Sequence, residues 1–163
     1  MRSRNILGGL LVAALVLAGC EHDVDGGLTD RLLLEAALDT ATVNYVNTPA
    51  ITDPAGNSPH GTFRVRFNAV AAAALDSTGK LPGGSSFPPN SVVVKDIYLN
   101  GALDLFAVMK KAPGDQLAAG GWLWNEVRPD GSVVFSAGRK GDGCIGCHSN
   151  DPNRDLVRVF DLY

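Results

Sequence analysis

This chain of 163 residues has few of the side chains that bind metals: three cysteines, three histidines and two methionines. A structural zinc site wants four protein ligands, usually as two pairs, and Cys20, Cys144 and Cys147 do not make two pairs. Basic excess is also lacking. Fourteen Lys and Arg face 17 Asp and Glu for a net charge of −3, so the electrostatic footprint of a nucleic-acid binder is missing. No apolar run reaches the roughly 20 residues needed to span a bilayer. The stretch from Ile6 to Ala18, ILGGLLVAALVLA, stops at thirteen. A Gly-rich phosphate-binding fingerprint, an internal repeat and a second metal motif are likewise missing.

What is present begins at the N-terminus. Arg2 and Arg4 ahead of the short apolar run have the build of an export signal that is removed. LAGC, Leu17 to Cys20, resembles a bacterial lipobox, which makes residues 1–19 a lipoprotein signal peptide and Cys20 the lipidated residue. Each buried methylene of an acyl chain contributes about 0.8 kcal/mol, so several chains anchor firmly. Residues 20–27 are polar and Gly-rich, as a tether should be, and residues 28–163 are the right size for one domain. The expected location is a bacterial membrane, with the domain held by its lipid anchor in the periplasm.

The stretch GDGCIGCHSN, residues 141–150, carries the most chemistry. Half a zinc site would need partners that the chain does not supply. A thioredoxin-like thiol pair is expected at the start of a helix beside a parallel-sheet pattern, usually without a histidine directly after it. A c-type haem uses every residue: two thiols add across the porphyrin vinyl groups, and the adjacent histidine ligates iron. The reading is one covalently attached haem c, with Cys144 and Cys147 as the thioether positions and His148 on the iron. Gly141, Gly143 and Gly146 would let the backbone lie close to a flat macrocycle.

The second axial position has two candidates in the domain, His60 and Met109. Alternation in LDLFAVMKK puts Leu103, Leu105, Ala107 and Met109 on one strand face, so Met109 reads as a core residue. His60, in SPHGT, reads as a turn residue. The expected iron is open or weakly capped.

Around this segment the pattern predicts an α+β fold: an antiparallel sheet of about five strands, two helices, and the C-terminal CxxCH segment. LTDRLLLEAALDTA reads as an amphipathic helix with Thr29 as its possible cap, and AVAAAAL as a short second helix. TFRVRFN, SVVVKDIYLN, ALDLFAVMKK, GGWLWNEVRP and GSVVFSAG read as strands. Turn signals such as NGAL, APGD and PDG separate the last four. Such short connections imply antiparallel pairing, since a parallel crossover needs a dozen or more residues. Trp122 and Trp124 share a strand face, and either could pack on the haem. Lys95 interrupts an apolar run, VVVKDIY, and from pattern alone a strand lysine faces solvent, although Val93, Lys95 and Ile97 share a face.

HGTFRVRFN, FPPNSVVVKDIYLN, VMKK, GGW and CIGCHSNDPNRDLV, in this order and at these separations, resemble the cytochrome P460 family over roughly residues 58–160. The resemblance implies a mainly antiparallel β fold. It also implies that Lys95, in the strand after the FPPN turn, is a candidate for a covalent bond to the porphyrin edge. The family's turn glycine is replaced there, and Asn90 is a residue that also tolerates left-handed backbone.

Hydroxylamine-oxidising members of the family work at an open distal iron site and yield nitric oxide or nitrous oxide. Relatives called cytochromes c′-beta cap the pocket with phenylalanine and mainly bind nitric oxide, a role Phe63 and Phe87 could take here. The distal acid of an enzyme would come from Asp96, Asp104 or Glu126, among which the strands do not choose. A simple electron carrier is the third reading. The partners implied are a small nitrogen-oxide or hydroxylamine ligand, a redox partner protein and the membrane, with a homodimer as an option and nucleic acid excluded.

Overall fold

The computed structural model describes residues 27–163 except 40, 46, 47, 49, 56 and 57. The expected signal peptide, Cys20 and the expected tether up to residue 26 lie outside the described residues. The elements run α1 (Gly27–Leu38), β1 (Val43–Asn44), β2 (Thr62–Phe67), α2 (Ala69–Ala72), β3 (Val92–Leu99), β4 (Ala102–Lys111), β5 (Trp122–Val127), β6 (Val133–Phe135) and α3 (Cys144–His148). The strands form one antiparallel sheet in the order β1-β2-β3-β4-β5-β6.

The fold class is the expected α+β, with six strands in place of about five. The extra strand, β1, pairs only Val43 with Phe67 and Asn44 with Arg66, too short to leave a periodic signal. A third helix, α3, is the single turn that carries CxxCH itself. The second helix is shorter than AVAAAAL: four residues capped by Asn68, whose side chain accepts from the Ala71 amide at 2.9 Å.

Turn chemistry fixes the register. Asn100 and Gly101 take φ of 54° and 81°, the two left-handed positions of a tight hairpin turn, and join β3 to β4 with Leu99 opposite Ala102. Asp130 closes the Pro129–Gly131 turn by accepting from the Ser132 amide and hydroxyl at 2.9 and 2.8 Å. Asn90 indeed takes left-handed backbone, φ 69°, so the lost glycine leaves the turn intact.

The two faces of the sheet are covered differently. On one, Leu33 and Ala37 of α1 pack on Val92, Val94, Phe106, Val108, Leu123 and Val127. Leu32 of the same helix stays about half exposed, so the apolar stripe is narrower than the sequence suggests. The helix already covers Gly27, which puts Thr29 within its first turn instead of at its cap. What fixes this end is Asp30: its buried carboxylate accepts from Asn125 Nδ2, Ser136 Oγ and the Ala137 amide, each at 2.7 Å.

The opposite face carries Phe63, Val65, Phe67, Val93, Met109, Trp122 and Trp124, and is covered by the C-terminal segment with Val157, Val159 and Phe160. Aromatic rings dominate it. Tyr45, Phe67, Phe87, Trp122 and Phe160 contact one another at centroid distances of 5.6 to 6.3 Å.

Candidate haem site

At one end of this aromatic face the packing opens into a cavity of about 520 Å³, within the range of small-molecule sites. Cys144, Cys147 and His148 line it from α3, and Lys95, Met109, Trp124 and Glu126 line it from the sheet. Period two explains the sheet contribution: Val93 and Lys95 alternate inward on β3, Trp124 and Glu126 on β5, and Ala107, opposite both Lys95 and Glu126, sits between them. The helical turn is set against β5 by Gly141. A Cβ there would lie 2.7 Å from the Trp124 ring, and φ is 68°, so both space and backbone ask for glycine. Gly141 thus serves the tryptophan, while Gly143 and Gly146 have open space where a Cβ would be.

The two thiols are not joined, and both are partly exposed. Burial and the Glu126 carboxylate push the Cys144 thiol up to about 11, so it is neutral at physiological pH. His148 packs edge-on against Trp124 at 5.0 Å between centroids. Its Nδ1 lies 2.7 Å from the Leu156 carbonyl, an acceptor only, so Nδ1 carries the proton and Nε2 keeps its lone pair. Burial holds its pKa below the usual histidine value, which favours the neutral, ligating form.

Opposite lie three titratable groups. Lys95 Nζ sits 3.9 Å from the centroid of the Phe63 ring, and burial lowers its pKa to about 8. Glu126 Oε1 is 3.7 Å from His60 Nδ1. Burial raises the Glu126 pKa, and nearby Lys95 opposes that rise. Burial, with Lys95 and His148 nearby, lowers His60 to about 4, so at neutral pH the contact is a carboxylate beside a neutral imidazole.

The residues present fit a c-type haem. Two thiols and a histidine with a free Nε2 border one cavity, whose walls are largely apolar and aromatic. Arg158 also lines it, donating through Nη1 to Cys147 Sγ at 3.3 Å, and its Nε is buried without a partner, a donor suited to an acidic substituent such as a porphyrin propionate. Among the described residues no group of three or more His, Cys, Asp or Glu is arranged to hold a bare metal ion.

A sheet-backed cavity closed by a CxxCH turn defines a c-type cytochrome site. Residues 42–159 match the family model described as Cytochrome P460, and the chain belongs to that family. It is therefore a haem protein carrying iron. No curated protein matches the chain.

Of the residues singled out from the sequence, Cys144, Cys147, His148, Lys95 and Phe63 all line this one cavity. Phe87 does not; it stacks in the aromatic cluster against Phe67, Phe160 and Trp122, and its amide is held by Asp155, so it is not a cap on the pocket. Lys95 points into the cavity instead of to solvent, against the pattern default. Met109, read as a core residue, lies in the core cluster and also lines the cavity.

His60, read as a turn residue, reaches the cavity because its loop is tied to β2 by the Thr52–Phe63 bridge. Two of the three candidate acids are spent elsewhere. Asp96 binds Arg64 and Arg66 at 2.9 and 2.7 Å on the α1 face, and Asp104 pairs with Arg128 at 3.7 Å. Glu126 alone of the three faces the cavity, and the signal for it was the alternation Trp122, Trp124, Glu126. Arg158 had no sequence signal at all.

Proposed function

We propose that this chain is a lipid-anchored mono-haem c-type cytochrome that oxidises hydroxylamine or a related small nitrogen species to nitric oxide or nitrous oxide. The observation that carries the reading is Glu126: a carboxylate in the same cavity as the CxxCH residues and Lys95, with its proton affinity raised by burial. Oxidising hydroxylamine to either product releases as many protons as electrons. An enzyme therefore needs a proton acceptor in the pocket, which a binder or a carrier does not.

In this reading Cys144 and Cys147 hold the haem by thioether bonds, and His148 ligates its iron through Nε2. A haem held by these residues would supply redox-active iron chemistry, with the electrons leaving to a redox partner protein. Glu126 accepts the protons, with the neutral His60 imidazole 3.7 Å from its Oε1. Lys95 is the candidate for the porphyrin cross-link; with a pKa near 8 its amine is far more often neutral than an exposed lysine's. Arg158 steadies the acidic edge of the macrocycle. Export and anchoring through Cys20 rest on the LAGC stretch and put the domain in the periplasm.

The test is turnover of hydroxylamine by the haem-loaded protein with an artificial electron acceptor, together with isolation of the haem peptide. The expected result is nitric or nitrous oxide, and a haem peptide containing both the CIGCH turn and the strand that bears Lys95. A second reading, a nitric-oxide-binding protein of the c′-beta kind, is favoured by one observation, the Phe63 ring in the cavity wall. Tight nitric-oxide binding without turnover, and a haem peptide of CIGCH alone, would establish it instead.

A further inference from the structure

Two consecutive residues after α3, Asp155 and Leu156, take left-handed backbone with φ of 51° and 67°. They are the central residues of a tight turn closed by Arg154 N to Val157 O at 2.9 Å and Val157 N to Arg154 O at 3.0 Å. Asp tolerates this conformation moderately; leucine does so poorly, and glycine would be the ordinary choice. Strain of this kind persists only where the surroundings over-determine it, and it collects at functional sites.

The surroundings here do over-determine it: Asn153 Oδ1 accepts from the Leu156 amide at 3.2 Å, Asp161 holds Arg154, and the densest set of contacts is at Asp155. Its Oδ1 accepts from Lys111 Nζ at 2.7 Å, its Oδ2 from the Phe87 amide at 2.8 Å, and its carbonyl from Trp122 Nε1 at 3.0 Å. Lys111 and Asp155 are both about nine-tenths buried at the side chain, so neither charge has water as an alternative partner. Gly120 makes room for the turn: a Cβ there would lie 2.4 Å from Leu156 Cδ1. What the strained turn presents to the cavity is the Leu156 carbonyl, which accepts from His148 Nδ1 at 2.7 Å.

We propose that Asp155, held by Lys111, is a positioning residue for the haem ligand: it clamps the Asp155–Leu156 turn so that the Leu156 carbonyl fixes the tautomer and ring orientation of His148. A hydrogen bond from Nδ1–H to a held acceptor makes the other ring nitrogen a stronger donor, favours ferric over ferrous iron and lowers the reduction potential. The inference rests on His148 as the axial ligand. It adds that the poise of the iron is set from a buried ion pair that does not touch the ligand.

The test uses the haem-loaded protein and two readouts that lost stability alone does not move, the iron–histidine stretching frequency of the reduced protein and the midpoint potential. Asp155→Ala is expected to lower the frequency and to weaken the preference for ferric iron about tenfold, ~59 mV upward for a one-electron couple. Asp155→Asn, which keeps the size and an acceptor for the Phe87 amide, is expected to shift both in the same direction by less, and carries the test if the alanine variant does not fold. Asp30→Asn, on the other face of the sheet, should lose stability and leave both readouts at their wild-type values. Folded Asp155 variants with wild-type frequency and potential would overturn the proposal. An iron–histidine stretch that persists unchanged in haem-loaded His148→Ala would instead overturn the ligand assignment beneath it, and the proposal with that.

Discussion

The two faces of the sheet are made from the same strands and do opposite things. Under α1, inward positions are Val, Leu and Phe, and the charged groups among them are paired: Asp30 has three donors, and Asp96 has two arginines, one of which also reaches the Ala37 carbonyl at 2.8 Å, although Asn125 Oδ1 is buried without a partner. Across the sheet, alternate residues of β3 and β5 present Lys95 and Glu126 to a cavity. There burial shifts pKa values because neither group is given a close, fully satisfying partner. One face pairs its buried charges; the other leaves charges poorly solvated around a hole, as sites that do chemistry tend to.

The sharpest way to break this contrast is to remove the thiols. Cys144→Ala with Cys147→Ala should abolish covalent haem, so that denatured protein loses its colour and its peroxidase stain, while the α1 face still folds into the same sheet. Next in size is Glu126→Gln, expected to lower hydroxylamine turnover by about 10²–10⁴-fold with haem content unchanged. In the wild type the ascending limb of the pH–rate profile should lie above the ordinary carboxylate value of 4.5, since burial raises the Glu126 pKa and the base must be ionised. Replacing Lys95 by Met removes the cation that opposes this rise and should move the limb further up.

Asp30→Ala attacks the other face. It leaves Asn125 Nδ2, Ser136 Oγ and the Ala137 amide without their acceptor and should cost about 2–4 kcal/mol in denaturant unfolding, with the haem spectrum unaltered.

The smallest effect is the most diagnostic of the cavity. Folded His60 takes a proton only near pH 4, whereas in the unfolded chain it takes one near 6.5. Between these values the unfolded state binds more protons, so stability falls as pH falls through the window, by roughly 2–3 kcal/mol for this group. His60→Gln should flatten that part of the stability–pH curve, read as the difference between variant and wild type.

Much of the α1 face and the frame of the sheet was legible because it is written locally. Alternation in TFRVRF, the Asn100–Gly101 and Pro129–Gly131 turns and the CIGCH motif each sit within a few residues, and each forms what its pattern predicts. The cavity was legible only in part. Which of Asp96, Asp104 and Glu126 faces it depends on strand register, and that register shifts between Ile97 and Tyr98 and again between Glu126 and Val127. His60 arrives by way of a loop anchored to β2, and Phe87 is carried into the aromatic core by a bond to Asp155, nearly seventy residues later. Long-range tethers of this kind leave no periodicity to read.

The strand order has a consequence for how the molecule assembles. Each strand hydrogen-bonds only with its neighbours in sequence, and although the β1–β2 and β2–β3 connections are long, the sheet from β3 to β6 can grow by adding hairpins with modest loop-closure entropy at each step. The CxxCH turn follows the last strand and contributes none of its own. The chain can thus complete its sheet while Cys144 and Cys147 remain free of any ladder. On the proposed reading, attachment of the haem would then close one side of a scaffold whose sheet does not depend on it.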